Sequence, residues 1–457
     1  MNDITCENKA LDVESKLECL RLISDGSGIG YMNGIATFVP GLLPGEIGEV
    51  EVYDAKKKWQ RARLLTIIKR SPEHIDAPCS VFEECGGCQL QHTTYEETLL
   101  WKQRWIEDAL SRIGKICVEV KPIIGMPIPW RYRNKARLHR EPTGKLGYYK
   151  EKSKDLVHFS DCLLLSERMN RWIRLTEEFL TDGFEEIHTL TFRENTMGEG
   201  LILLEGPPTK VLSAEDNPEF FEALFEEGVR SVWGTDSEGS LALVWGEEVF
   251  SQTILNMTLD VSPLSFLQVN PLQTDVLYSQ VLDGAALTGD EIVWDLYSGI
   301  GTLALALASK AQKVTGIEEN PYAVEDAIQN AVNNNAVGHV EFLKGKVESR
   351  MMKLDEQPDV VVLDPPRTGM HLIVVQRLLE LKPQRIIYVS CDPGTLARDL
   401  ALLTQGGYGV ESVQPVDMFP WTQHVENCVI LSKKVSGNKE LLTVQNFFGK
   451  RKCDVYG

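Results

Sequence analysis

From about residue 270 the chain settles into an alternation that few folds satisfy: short strand-like runs, the later ones almost continuously apolar, separated by stretches of helical periodicity. The run at 291–297 is followed by a helical pattern at 302–310, a run at 313–318, a helical pattern at 321–334 and a run at 340–343. Further runs occupy 359–364, 385–391 and 427–431. A strand with one wet face alternates apolar and polar residues, whereas an unalternating strand must be covered on both faces, as in a parallel sheet between helices. The pattern predicts a doubly wound, mostly parallel, Rossmann-like domain over 266–438, with ligands at the carboxyl ends of its strands.

The remainder of the 457 residues exceeds what that core can organise, so the chain is multi-domain α/β. Residues 17–72 alternate in short stretches punctuated by Asp25-Gly26, Asn33-Gly34 and Pro44-Gly45, which reads as an OB-type β-barrel. Leu99, Trp101, Trp105, Ile106 and Leu110 recur at helical spacing within 95–112. The rest of 73–265 is mixed, an α+β central domain, and 1–16 and 439–457 read as tails. The longest uncharged stretch, 26–45, holds six glycines and two prolines and cannot span a bilayer as a helix. With no basic and apolar leader at the N-terminus, a cytoplasmic protein without a membrane partner is expected, as a monomer.

Net charge is −19, which taken alone argues against a nucleic-acid partner. The distribution argues otherwise. Segment 112–150 carries ten Lys and Arg against two acids, 55–70 adds seven bases and no acid, and 166–250 holds 19 acids against six bases. A basic face that includes Arg131, Arg133 and Arg137 is expected to meet RNA, the competing reading being an ordinary solvated surface.

The chemistry concentrates at predicted strand ends. The first ends in Asp295-Leu-Tyr297-Ser-Gly299-Ile-Gly301-Thr302, where glycines let a ligand approach the backbone. Glu318, closing the second, is placed to accept two ribose hydroxyls. These features suit a nicotinamide dinucleotide or S-adenosylmethionine equally. Asp364-Pro365-Pro366-Arg367 at the fourth strand end puts an acid at the carboxyl edge, which favours methyl transfer, including transfer to an amino group. Cys391 at the fifth is a candidate nucleophile, and Glu426 before the last run a candidate base; C5 of a pyrimidine needs both, because it is inert until a thiolate adds to C6 and its proton must then be removed. Separately, Cys79, Cys85 and Cys88 form C-x5-C-x2-C, and a distant cysteine would complete four thiolates for iron–sulfur or zinc.

The strings APCSVFEECGGCQLQH, FLQVNP, DLYSGIGTLALALA, DPPRTGM, VSCDPGTLARDL and HVENCVIL resemble, in order and over nearly the whole chain, the bacterial RNA uridine-5-methyltransferases, particularly the 23S ribosomal RNA branch. The resemblance implies an S-adenosylmethionine-dependent enzyme acting on RNA, 23S rRNA before tRNA, with the barrel as a TRAM domain. It implies Cys391 as nucleophile, Glu426 as base, and Gln268, Tyr297, Thr302, Glu318 and Asp364 around the cofactor. Phe266 would hold the flipped base, and Cys79, Cys85, Cys88 and Cys162 would ligate a [4Fe–4S] cluster. It further implies that helix 95–112 packs on the catalytic domain. An amino-group methyltransferase and a nicotinamide oxidoreductase with an iron–sulfur centre stand as alternatives.

Overall fold

A computed structural model describes residues 15–180, 186–206, 215–235, 238 and 240–434; the expected tails lie almost wholly outside these, as do Cys6 and Cys453. The C-terminal sheet has seven strands, in chain order Ile292–Leu296, Lys313–Glu318, Val340–Lys344, Val360–Leu363, Arg385–Ser390, Tyr408–Val416 and Glu426–Lys433. Numbered first to seventh, they lie in the order third, second, first, fourth, fifth, seventh, sixth. The first five run parallel, and the seventh is antiparallel to both neighbours. A dinucleotide-binding sheet places its sixth strand next to the fifth. Here the last strand occupies that place and points the other way, so its beginning, not its end, lies where the parallel strands terminate.

Both faces of this sheet are covered, as the unalternating runs require. Val360 and Val362 join one apolar core and Val361 and Leu363 the other, all nearly or fully buried. The second core also takes Ile106, Ala109 and Leu110, because helix Tyr95–Ala109 and the π-helical turn Leu110–Gly114 lie against helix Pro393–Gln405. Gly114 permits this approach: a Cβ there would stand 3.0 Å from the Ala397 carbonyl oxygen.

The central region holds a seven-stranded sheet ordered Leu241–Gly246, Val229–Thr235, Gly200–Glu205, Thr189–Glu194, Lys135–Arg140, Leu146–Tyr149 and Leu156–Val157. Helices Glu167–Phe179 and Pro218–Glu226 contribute Met169, Trp172, Phe221 and Leu224 to its core. The hairpin Ser251–Ile254 with Met257–Asp260 belongs elsewhere. Phe250, Ile254 and Leu259 join the catalytic core, and Asn330 bonds the Asp260 backbone at 2.7 and 3.0 Å. Leu201 and Leu203 of the central sheet reach the same core, so the two regions pack together here.

Residues 15–69 form a six-stranded sheet ordered Ser15–Glu18, Ile47–Ala55, Trp59–Lys69, Ile35–Pro40, Ser27–Met32 and Arg21–Leu22. The two outer strands are only two residues apart in the chain, so the sheet closes on itself around Leu17, Val39, Leu42, Val50 and Ala62. Closure this tight needs glycine. A Cβ on Gly28 or Gly30 would stand 2.2 Å from the carbonyl oxygens of Leu42 and Glu18 respectively. Among the described residues, no helix is long and apolar enough to cross a membrane.

Candidate active site

Strand Arg385–Ser390 and strand Glu426–Lys433 pair in antiparallel register with Ser390 opposite Asn427. One step further along the same register sets Cys391 opposite Glu426, a spacing at which facing side chains reach one another. Asn427 fixes this corner by donating to the Ser390 carbonyl oxygen at 3.2 Å, and Asp392 caps helix Pro393–Gln405 by accepting from the Thr395 N–H at 2.7 Å. Cys391 is half-buried and Glu426 buried.

Two more carboxylates close on the same point. Asp295 lies on the central strand and is buried; Asp364 follows the neighbouring strand, its N–H donating to the Leu296 carbonyl oxygen at 3.3 Å. Burial and the nearby Asp364 push Asp295 up to about 8. Burial raises Asp364 likewise, and burial together with Asp364 raises Glu426, with the Arg367 guanidinium opposing. The N-terminus of helix Pro393–Gln405 beside Cys391 favours thiolate, but burial and the carboxylates of Glu426 and Asp364 prevail and push the thiol up to about 12. Asp295 Oδ2, Ser298 Oγ and Glu426 Oε2 are buried without a hydrogen-bond partner in the protein. Buried polar atoms rarely stay unpaired, so these three mark the wall of a ligand site.

The glycine turn shapes the floor. Tyr297 has φ 67°, Gly299 φ 55° and Gly301 φ 83°, so the chain turns through left-handed conformations immediately after the strand. A Cβ on Gly299 would meet nothing within 4 Å, whereas one on Gly301 would strike the Phe342 ring at 2.6 Å. Gly299 thus borders open space and Gly301 permits packing. Glu318 accepts from Gly299 N–H at 3.0 Å and from Glu319 and Asn320 N–H at 2.8 Å each, which fixes its carboxylate beside the turn. Thr302, buried, begins helix Thr302–Ala308.

Gln268 joins the group through a partner that sequence reasoning missed. Its side chain lies beside the hydroxyl of Tyr278, a buried residue of helix Pro271–Ala285 on which Asp364, Asp295 and Glu426 all act. Nothing in the helical spacing of Tyr278 separates it from ordinary core. Phe266, two residues before Gln268, is 63% exposed, and its loop is pinned because Asp326 accepts from Ser262 N–H at 2.8 Å and Ser265 Oγ at 2.6 Å.

Cys79, Cys85, Cys88 and Cys162 line one cavity of about 270 Å³ that also reaches Arg367 and His424. All four are free thiols. Burial and then the neighbouring Cys162, Cys85 and Cys79 push Cys88 up to about 12. Among the described residues, no three His, Cys, Asp or Glu side chains converge as ligands of a single metal ion. The basic run is less available than its composition suggests. Arg131 bonds both Asp161 oxygens at 2.8 and 2.7 Å and the carbonyls of Cys162 and Leu165, and Arg137 pairs with Glu205. Arg133 lines the cysteine cavity.

Acids and a thiol gathered at the carboxyl edge of a doubly wound sheet with a reversed last strand define a group-transfer enzyme of the methyltransferase type. The family model of tRNA (uracil-5-)-methyltransferases matches residues 256–434. An RNA methyltransferase of Halalkalibacterium halodurans is 40% identical over 443 residues, 90% of this chain and 95% of that protein. One from Listeria innocua is 38% identical over 448 residues, 90% of this chain and 96% of that protein. The crystal structure of a Pyrococcus abyssi tRNA (uracil-54, C5)-methyltransferase in complex with S-adenosyl-L-homocysteine superposes with a TM-score of 0.73 at 26% identity, covering 91% of this chain and all of that one. The chain belongs to the RNA uracil-5-methyltransferase family.

Proposed function

We propose that this methyltransferase transfers a methyl group from S-adenosylmethionine to C5 of a uridine in 23S rRNA through a covalent adduct with Cys391. The observation that carries the reading is the strand register ending with Ser390 opposite Asn427, which brings Cys391 and Glu426 next to one another beside Asp364. An amino-group methyltransferase needs no such pair. A nicotinamide dinucleotide would bring its anionic pyrophosphate toward Asp295, Asp364 and Glu426, three buried acids that offer it no cation.

The orphaned oxygens of Asp295, Ser298 and Glu426 and the open space at Gly299 fit a cationic nucleoside cofactor. Glu318 would take the ribose, with Gln268, Tyr297, Thr302 and Asp364 around the remainder. S-adenosylmethionine supplies an electrophilic methyl group on a positively charged sulfur. In the reaction, the Cys391 thiolate adds to C6 of an extruded uracil held against Phe266, and C5 becomes nucleophilic and takes the methyl group. Glu426 removes the C5 proton, the C5–C6 double bond reforms, and the C6–S bond breaks to return the thiolate. Arg367 and the cofactor's charge favour that thiolate against the surrounding carboxylates.

The four thiols share a cavity, and of the two metals that four thiolates can hold, the family resemblance favours a [4Fe–4S] cluster over one zinc. The closed six-stranded sheet serves as the TRAM domain. Its Phe38, Tyr53, Trp59 and Arg61, with Glu151 and Lys152 of the central region, line a groove of about 450 Å³, and Arg61 stands 5.8 Å from the centre of the Trp59 ring. Exposed rings beside cations suit unstacked bases and their phosphates. A second reading, tRNA as substrate, is favoured by the Pyrococcus relative.

RNA containing 5-fluorouridine tests the chemistry, since its C5 fluorine cannot leave to a base. Wild type should form a stable protein–RNA adduct and Cys391→Ala none, with turnover down roughly 10⁶-fold and S-adenosylmethionine binding retained. Turnover by Cys391→Ala would sink the mechanism. Mapping 5-methyluridine in rRNA and tRNA with and without the gene separates the two substrates.

A further inference from the structure

The loop 417–425 delivers Glu426 to the site and has no regular structure of its own. Its first half is held firmly. Asp417 is sealed against Lys102 at 2.6 Å, both side chains fully buried, and accepts from the Tyr95 hydroxyl at 2.8 Å. Lys102 also donates to the Phe419 carbonyl oxygen at 3.0 Å, and the Tyr132 hydroxyl to that of Pro420 at 3.1 Å. At Trp421 the chain turns through φ 67°, a conformation that needs outside support in a residue with a side chain. The cysteine-bearing segment provides it: the N–H groups of Gln89 and Leu90 both donate to the Trp421 carbonyl oxygen at 3.0 Å.

Beyond Trp421 the same segment reaches further forward through one side chain. Gln89 Oε1 accepts from the Gln423 N–H at 3.2 Å, three residues before Glu426, while its Nε2 donates to the Gly86 carbonyl oxygen at 3.0 Å, inside the Cys85–Cys88 turn. The closed sheet backs it from the other side. Gly26 has φ 81°, and a Cβ there would stand 2.9 Å from Gln89 Cβ, so the side chain is wedged where three parts of the molecule meet.

We propose that Gln89 is a positioning residue for Glu426. By tying residue 423 to the cysteine turn it sets the carboxylate for removal of the C5 proton, and it has no part in cofactor binding or thiolate addition. This rests on the reading of Glu426 as the base. The cysteine cavity is thereby joined to one chemical step, and disturbance of the turn at Gly86 is transmitted to the base.

The test uses Gln89→Met, which keeps the bulk against Gly26 and deletes both hydrogen bonds, and Gln89→Glu, which keeps the acceptor for Gln423. Gln89→Met should lower kcat about 10–100-fold with KM unchanged, and a covalent adduct with ordinary RNA should accumulate on denaturing gels because elimination has become slow. Gln89→Glu should restore most of kcat. Unchanged kcat in Gln89→Met, or a fall in kcat without adduct and with a lowered melting temperature, overturns the proposal. Glu426→Gln run alongside separates its failure from that of the base assignment. Adduct in Glu426→Gln but not in Gln89→Met refutes the role of Gln89 alone, whereas free turnover by Glu426→Gln removes the base and the proposal with it.

Discussion

The carboxylate hollow and the cysteine cavity set the protein the same electrostatic problem and invite opposite solutions. In the first, burial and mutual repulsion hold Asp295 up to about 8 and raise Asp364 and Glu426. In the second, burial and neighbouring thiols raise Cys85, Cys88 and Cys162. Each concentrates groups that ionise only if positive charge arrives, yet hard carboxylates suit an organic cation that comes and goes, and soft thiolates suit iron that stays. The two hollows are not insulated, since Arg367 and His424 line the cysteine cavity while Arg367 acts on Cys391 and Glu426. On the proposed reading, one site exchanges its cation and the other keeps it.

The sharpest way to break this contrast is to remove a thiol. Cys162→Ser should cost the protein its iron and its brown colour and lower the melting temperature by roughly 10 °C, since losing a structural metal costs about 4 kcal/mol or more and each kcal/mol moves a domain of this size by about 2–4 °C. Iron analysis and calorimetry on anaerobically purified protein check both. A colourless wild type carrying one zinc would replace the cluster, and one carrying no metal would reduce the second hollow to a plain cavity.

A smaller effect is expected from the carboxylates. A carboxyl raised to about 8 in the folded protein binds a proton that the unfolded chain has released by pH 4, so stability falls as pH rises between about 4 and 8. Asp295→Asn removes that penalty. Without cofactor, its melting temperature should exceed wild type by several degrees at pH 8.5, with the difference vanishing near pH 4. S-adenosylmethionine should bind wild type more tightly as pH rises through 8 and bind the variant weakly throughout. A melting difference independent of pH would mean that Asp295 is not held protonated.

How much of this could be read from the chain follows from which contacts are local. The five parallel strands were legible because a doubly covered strand shows itself as an apolar run. The strand Tyr408–Val416 was not, because YGVESVQPV carries Pro415 and polar residues and takes its place only by pairing with Glu426–Lys433. Hairpin 251–260 looked continuous with the central region because its attachment to Asn330 lies 70 residues away. Cys391 and Glu426 stood out at the ends of apolar runs, whereas Tyr278 was hidden in a helix and Gln89 in a polar turn. The basic run was only half legible for the same reason, since counting charges does not reveal Asp161, 30 residues on, which takes up Arg131.

The least effect, and the one that most refines the contrast, concerns where RNA phosphates are met. Arg131 and Arg137 are already paired, with Asp161 and Glu205. Arg61, beside the Trp59 ring at the aromatic groove, is therefore the cation expected to meet an RNA phosphate. Arg61→Gln should weaken RNA binding a few-fold and reduce the slope of log affinity against log salt by about 0.7–0.9, the amount one released counterion contributes. Methyl-donor affinity should not change, because its charge is matched inside the carboxylate hollow. Arg131→Gln should do the reverse, lowering the melting temperature through the lost Asp161, Cys162 and Leu165 contacts while leaving the salt slope in place. If Arg131→Gln flattened the slope and Arg61→Gln did not, the RNA would run along the central sheet past Phe266, and the groove on the closed sheet would lie outside its path.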